Sequence, residues 1–270
     1  MSIKRIILLC MIMVMSADPA RGAEQIKIAG SGGMIPLVTE LAKGFMAKRT
    51  DVVILVYQQS IQSGGGIKGA ASGELGIGMA NRPLKDDEKS LGVEVVDIAQ
   101  AAVVIGTNKS IALDTISSED LCRIYAGAVT TWDELHGGSG TIVALTKPET
   151  DATKELIRKN IPCYKNLKES EKIISIKSSM DMTDTLAKAK AIGLTDSVSV
   201  ESSQGAIKAV KLDGIAPVPE NIRSGKYKLV QTFRLVTKGI PSGAINDFIN
   251  FVKGTEGRKI IEAKKAIAAK

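Results

Sequence analysis

The chain has 270 residues, with 36 basic and 29 acidic side chains, a net charge of +7 and only 3% aromatic residues. The basic residues form no block interleaved with aromatic ones, which excludes nucleic acid as an expected partner. One histidine and no closely paired cysteines leave no spacing typical of a metal site, so we expect neither a metal nor a cofactor. The length suits an α/β protein of two lobes with an aliphatic core.

Residues 1–23 predict a secretory signal peptide that is cleaved from the mature chain. Lys4 and Arg5 precede an unbroken apolar run over residues 6–15, and small residues follow at Ala20 and Ala23. The run is too short to span a membrane as a helix, and a buried N-terminal helix is the alternative interpretation. Cleavage would remove three basic residues and one acidic residue, lower the net charge from +7 to +5, and leave the mature protein in the periplasm.

The first part of the mature chain alternates strands and helices. Residues 26–29 predict a strand, which a glycine turn over 30–33 connects to an amphipathic helix over 36–49. The run "DVVILVYQ" predicts a second strand that is buried on both faces. A second glycine turn and helix follow over 60–73, and "ELGIGMA" predicts a third strand. This βαβαβ order predicts a parallel sheet with right-handed crossovers.

The alternation continues to the end of the chain. Ser117 is predicted to cap a helix that ends at Gly127. Further strands are predicted over 141–146, 172–177, 191–196 and 208–214, and further helices over 151–160, 179–190, 242–252 and 255–268. Two long extended stretches, over 93–108 and 228–238, predict two crossings between two lobes. We expect lobe 1 to comprise residues 24–103 and 234–270, and lobe 2 to comprise residues 104–233.

Two glycine-rich segments at successive strand ends predict an anion site. Gly30 to Gly33 and Ser60 to Gly66 each lead into a helix, whose first amides have no intrahelical partner. Arg82 follows the third strand, where it could hold an oxyanion. Each feature alone also fits a simpler interpretation: a tight turn for the glycines, and a solvated side chain for the arginine.

Catalysis finds little support in the sequence. No nucleophile elbow of the G-x-S-x-G type and no nucleotide-binding P-loop occur, and His136 lies in a predicted loop. We therefore expect a protein that is not an enzyme. Cys122 and Cys163 remain after cleavage, and in an oxidising compartment they could form one disulfide, which their spacing leaves open.

Several stretches together resemble the periplasmic phosphate-binding proteins of ABC transporters, in their shorter branch. The resemblance covers nearly the whole mature chain and rests on "IAGSGGMIPL", "SGGGIKGAASGELGIGMANRPLK", "LCRIYAGAVTTWDEL", "AIGLTDSVSV", "KAVKLDGIAPVPENIRSGKYKL" and "FRLVTKG". It implies the α/β, two-lobed type II periplasmic binding protein fold, in which each lobe is a mainly parallel sheet flanked by helices. It also implies a monomer that binds phosphate between the lobes and delivers it to an inner-membrane ABC permease.

The resemblance further implies a ligand site shared by both lobes. Carried over by position, lobe 1 contributes Ser31, Gly32, Gly33, Ser63, Gly64 and Arg82, and lobe 2 contributes Lys147, Asp151, Ala152 and Thr153. The best-known members have an acidic residue at the Arg82 position, whereas the shorter branch commonly has arginine there.

The second lobe departs from the family pattern Arg-Pro-Glu-x-Ser-Gly-Thr, because this chain reads "KPETDAT". Lys147 lacks the two-pronged geometry of arginine, and Ala152 is stiffer than glycine. The first turn carries Gly32 and Gly33 where the family often has threonine.

Asp151 affects the ligand most. A carboxylate about 4 Å from a phosphate would repel it by roughly 4 kcal/mol at an effective dielectric constant of 20. Asp151 could instead accept a hydrogen bond from a protonated phosphate oxygen, cap its helix, or pair with Lys154 or Arg82. Otherwise the ligand is another oxyanion or a small organic anion. A sensor or adhesion protein that has lost the pocket is the further alternative.

Overall fold

The computed structural model describes residues 23–270, so the predicted signal peptide lies outside the described residues except for Ala23. Within residues 23–270, no helix combines the length and the apolar character that a membrane crossing requires.

The elements follow in chain order. The first are β1 (Glu24–Gly30), α1 (Ile35–Met46), β2 (Val52–Val56), α2 (Gln62–Ser72), β3 (Ile77–Ala80) and β4 (Val93–Asn108). Next come β5 (Thr115–Ile116), α3 (Ser118–Ala126), β6 (Val143–Thr146), α4 (Ala152–Asn160), β7 (Ile174–Ser175), α5 (Ser179–Lys188), β8 (Ala191–Asp196), α6 (Ser197–Ser202) and β9 (Ile207–Leu212). The last are α7 (Pro219–Arg223), β10 (Val230–Lys238), α8 (Gly243–Lys253), α9 (Thr255–Ala263) and β11 (Ile267–Ala268).

The strands form a mixed sheet in the order β2-β1-β3-β10-β4-β8-β6-β7. β1 pairs in parallel with β2 and β3, as the βαβαβ pattern predicts, and β6 pairs in parallel with β7 and β8. β4 joins the two halves, because Val93 to Ala102 pair with β10 and Val103 to Asn108 pair with β8 and β9.

Two large apolar cores lie on either side of this junction. The first includes Ile28, Leu37 and Phe248, and the second includes Trp132 and Tyr125. The exact lobe boundaries at residues 103/104 and 233/234 stay a prediction. A disulfide joins Cys122 in α3 to Cys163, with the two Cα atoms 6.2 Å apart.

Three local predictions are wrong. β2 is not buried on both faces: it is an edge strand of the sheet, and Val53 and Leu55 are 36% and 41% exposed. An unbroken apolar run does not reveal whether a strand is central or at an edge. The last helix ends at Ala263 rather than at residue 268, because Ile267 and Ala268 pair with β4.

The third wrong prediction is the glycine turn over residues 60–66, because Gly64 to Gly66 lie inside α2. Packing explains why. A Cβ atom at Gly66 would lie 2.7 Å from the Met79 carbonyl oxygen and 2.9 Å from the Gly30 Cα. Glycine therefore lets α2 lie directly on β1 and β3, and this close packing outweighs the low helix propensity of glycine.

Candidate functional site

The beginnings of three helices meet around one cavity of about 220 Å³. They are the short 3-10 helix Gly32–Met34 that leads into α1, the first turn of α2, and the first turn of α4. Seven of the predicted site residues line the cavity: Ser31, Gly32, Ser63, Gly64, Arg82, Asp151 and Ala152. The structure thus brings together residues that are up to 121 positions apart in the sequence.

These helix beginnings are suited to an anion. The first amides of a helix have no intrahelical partner, and the helix dipole places partial positive charge there. The turn before the 3-10 helix requires glycine at position 30, where φ is +147° and a Cβ atom would lie 2.1 Å from the Met79 carbonyl oxygen. Gly30 therefore allows β1 to turn sharply into the 3-10 helix, and the Ser31 amide is used within this turn, where it donates to the Met79 carbonyl oxygen at 2.9 Å.

The Ser63 hydroxyl is already used within the protein. Its Oγ donates to Asn81 Oδ1 at 2.8 Å and accepts from the Asn81 amide at 3.2 Å. Asn81 Nδ2 in turn donates to Gln231 Oε1 on β10 at 2.8 Å. Since a hydroxyl has one proton, the Ser63 hydroxyl has none left to donate to a ligand. Asn81 and Gln231 were not predicted, although Asn81 directly precedes the predicted Arg82.

Arg82 forms a two-pronged ion pair with Glu88. Its Nη1 and Nη2 atoms lie 2.6 Å and 2.7 Å from the two carboxylate oxygens, and Nη1 also donates to the Pro83 carbonyl at 2.8 Å. The Arg82 guanidinium lowers the pKa of Glu88. Of the five N–H groups of arginine, the Nε–H and one Nη2–H remain for a ligand. Arg82 therefore offers directed donors but little net charge. Glu88 was not predicted.

Asp151 caps α4, which was one of the two predicted alternatives to repulsion. Its Oδ1 accepts from the Thr153 amide at 2.8 Å. It does not pair with the two cations considered in the sequence analysis: Lys154 contacts Glu149 and Glu169, and Arg82 contacts Glu88. Asp151 nevertheless lines the cavity, so this acidic residue lies next to any anion bound there.

Three predicted site residues, Gly33, Lys147 and Thr153, are absent from the wall of this cavity. Gly33 packs against Asp196, whose Oδ2 would lie 2.7 Å from a Cβ atom at that position. Lys147 is only 2% exposed, and its Nζ lies 3.5 Å from Ser179 Oγ. Burial lowers the pKa of Lys147, while Asp151, Asp196 and Asp181 oppose that shift. Their roles as ligand contacts stay predictions.

The formal charges around the cavity cancel. Lys68, Arg82 and Lys85 line it together with Asp87, Glu88 and Asp151. An anion bound here would be held mainly by oriented amides and by the remaining Arg82 donors, because the net charge of the wall gives little attraction. Among residues 23–270, no group of three or more histidine, cysteine, aspartate or glutamate side chains is placed to hold a metal ion.

Comparisons with known proteins agree with this architecture. The family described as the PBP superfamily domain matches residues 16–256 of the chain. The chain belongs to this superfamily. The phosphate-binding protein PstS of Bacillus subtilis (strain 168) is 25% identical to this chain over 252 residues. The matched region covers 91% of this chain and 82% of that relative.

Two solved structures are similar over almost the whole chain. A phosphate ABC transporter substrate-binding protein with bound phosphate from Clostridium perfringens is 27% identical, covers 92% of this chain and 100% of its own, and has a TM-score of 0.79. An ABC-type phosphate transport receptor from Vibrio cholerae is 22% identical, covers 90% of this chain and 99% of its own, and has a TM-score of 0.64. At this low identity the similarity supports the fold alone. The predicted family resemblance and the type II periplasmic binding protein fold are confirmed.

Proposed function

We propose that this chain is the phosphate-binding component of an ABC transporter. It would bind phosphate between its two lobes in the periplasm and deliver it to an inner-membrane permease, without catalysing a reaction. The observation that carries the proposal is the meeting of three helix beginnings and Arg82 around one cavity. Relatives named or described as phosphate-binding proteins support the choice of anion.

Calorimetric titration of the mature, ligand-stripped protein with phosphate near pH 7.5 tests the proposal. We expect micromolar or tighter affinity, and no comparable binding of a neutral solute such as glycerol. The absence of heat at millimolar phosphate would contradict the proposal. It would then favour another oxyanion or a small organic anion, because Asp151 lies in the cavity wall.

A double variant and a control variant together test whether Arg82 contributes to the site. Replacing Arg82 alone would leave the buried Glu88 without its partner, so we choose the double variant Arg82→Gln/Glu88→Gln, in which the two side chains can still hydrogen-bond. We expect phosphate affinity to fall about tenfold to a hundredfold, the usual value of a hydrogen bond to a charged group. Lys89→Gln, an exposed residue of the same segment, is the control and should bind phosphate normally. Unchanged affinity of the double variant would remove Arg82 from the site.

A further inference from the structure

Three consecutive residues connect the cavity to the half of the molecule that contains β6 and α4. Among the described residues that line the cavity, Thr150, Asp151 and Ala152 belong to this half, and the others lie between positions 31 and 88. The three residues lie on the connection from the end of β6, at Thr146, to the first turn of α4. The shape of this side of the cavity therefore depends on how the two ends of that connection are held.

Glu169 holds both ends of this connection. Its Oε1 atom accepts a hydrogen bond from the Thr146 hydroxyl at 2.9 Å, and its Oε2 atom accepts one from Lys154 Nζ, in the first turn of α4, at 2.7 Å. The Tyr164 hydroxyl also donates to Oε1. Glu169 does not line the cavity, because it lies in the segment between α4 and β7. One carboxylate thus ties the strand before the connection to the helix after it.

This tie is largely shielded from water. The Lys154 side chain is 3% exposed and the Glu169 side chain is 13% exposed. A hydrogen bond between charged groups is stronger than one between neutral groups, and a buried charge that loses its partner is costly. Lys154 also contacts Glu149, in the middle of the connection, and Arg158 donates two hydrogen bonds of 2.8 Å to the Glu149 carboxylate. The connection is therefore held at both ends and in its middle.

We propose that Glu169 is a positioning residue for the ligand site, which holds Thr150, Asp151 and Ala152 in place against the bound anion. This inference rests on the proposed function, because it concerns the affinity of the same cavity for phosphate. It assigns a role in binding to a carboxylate that does not itself contact the ligand.

The direction of the effect separates positioning from electrostatic attraction. Glu169→Gln removes a negative charge, so it would strengthen the binding of an anion if charge alone mattered. If Glu169 positions the wall of the cavity, the same variant binds phosphate more weakly, although the protein has become less negative. A purely structural role would leave the affinity of the folded variant unchanged.

Calorimetric titration of the variants with phosphate near pH 7.5 tests the inference. We expect Glu169→Gln to lower the affinity about tenfold, the lower end of the effect that outer-shell residues have at metal sites. Lys154→Met should lower it by a similar factor, and Lys154→Met/Glu169→Gln by no more than either single change, because both residues act through one tie. The double variant leaves neither member of the pair as an unpaired buried charge, so it keeps the test possible if a single variant does not fold.

Glu134→Gln is the matched control. The Glu134 Oε1 atom also accepts three hydrogen bonds, from the Thr130 and Thr131 amides and from the Thr131 hydroxyl. It holds a loop of the same half of the molecule that does not line the cavity. This variant should bind phosphate as the original protein does. Titrating only variants that circular dichroism shows to be folded keeps a general loss of stability out of the comparison.

Each outcome decides a different question. If Glu169→Gln binds phosphate as tightly as the original protein, or more tightly, the inference is overturned and the proposed function stands. The inference also fails if Glu134→Gln weakens binding equally, or if the effects of Lys154→Met and Glu169→Gln add in the double variant. If the original protein does not bind phosphate, the proposed function fails and the inference falls with it.

Discussion

Asp151 is both a helix cap and an acidic residue in the wall of the candidate anion site. Serine caps helices about as well as aspartate but carries no charge. We expect Asp151→Ser to increase phosphate affinity at least tenfold, because it removes part of a repulsion of roughly 4 kcal/mol expected for charges about 4 Å apart. Calorimetric titration measures the affinity, and urea unfolding should show a free energy of unfolding within about 0.5 kcal/mol of the original.

Two companion variants separate charge from capping. Asp151→Asn keeps the cap and removes the charge, so it should increase the affinity as serine does. Asp151→Ala removes the cap as well and should lower the free energy of unfolding by about 1 kcal/mol. If neither Ser nor Asn at position 151 changes the affinity, the carboxylate does not act on the ligand.

Asp196 gives a pH dependence of stability. It caps α6 by accepting from the Ser199 amide at 2.8 Å, and burial raises its pKa from 3.8 to about 6. The folded protein therefore holds this proton more tightly than the unfolded chain, so stability falls as the pH rises from about 4 to about 6. This group alone should lower the free energy of unfolding by about 2 kcal/mol between pH 4.5 and 7.

Urea unfolding across that pH range measures the effect, and Asp196→Asn is the test variant. Asparagine keeps an oxygen for the cap but does not titrate, so the decline should be largely absent. Glu88 and Glu149 have pKa values lowered by their arginine partners, so they weaken the fold mainly as the pH falls below about 4.5. An equal decline in the variant would show that another group is responsible.

At the scale of elements, the close contact between α2 and the sheet depends on Gly66. A Cβ atom there would lie 2.7 Å from the Met79 carbonyl oxygen, whereas at Gly64 the nearest atom would be Arg82 Nη2 at 3.5 Å. We expect Gly66→Ala to lower the free energy of unfolding by about 1–3 kcal/mol through overpacking. Gly64→Ala makes the same change two residues earlier in α2. It should leave the free energy of unfolding unchanged or raise it by up to about 1 kcal/mol through helix propensity. Equal effects in urea unfolding would contradict this.

Helix α2 also shows how much of the fold could be predicted from the sequence. The order of strands and helices followed from apolar periodicity, and the cap at Ser117 followed from local chemistry, whereas capping by Asp151 was one of several alternatives left open. The placement of Gly64 to Gly66 inside α2 did not, because the reason is a contact with β1 and β3 that propensity does not contain. The exposed face of β2 was missed for a related reason, since an edge position depends on which strands pair.

The candidate site was predictable to a similar extent. The beginnings of α1 and α2 and Arg82 were predicted because glycine, serine and arginine at strand ends have a local physical meaning, whereas the site residues at the beginning of α4 came from the family resemblance. The pairing of Arg82 with Glu88, the use of the Ser63 hydroxyl by Asn81, and the burial of Lys147 depend on tertiary packing. These three features set the charge and the donors of the site, which is why the sequence alone left the ligand open.

At the scale of the whole molecule, the disulfide closes a loop within the second core. Cys122 and Cys163 are 41 positions apart, and a cross-link of that span stabilises a fold by about 4 kcal/mol in the chain-entropy description. We expect Cys122→Ser/Cys163→Ser to lower the free energy of unfolding by about 3–4 kcal/mol in urea, with phosphate affinity unchanged. Reduction of the original protein should have a similar effect. A variant as stable as the original would mean that the bridge adds nothing.

β4 also has a consequence for how the two halves could move. It is one strand whose first ten residues, Val93 to Ala102, belong to one side of the junction and whose last six belong to the other, with a shift of register opposite Phe233 and Arg234. No loop interrupts it at the crossing, so a change of angle between the halves requires the strand itself to bend or twist. In engineering terms this connection is a flexure and not a pivot. A flexure stores elastic energy when it is bent, and it returns toward its resting angle when it is released.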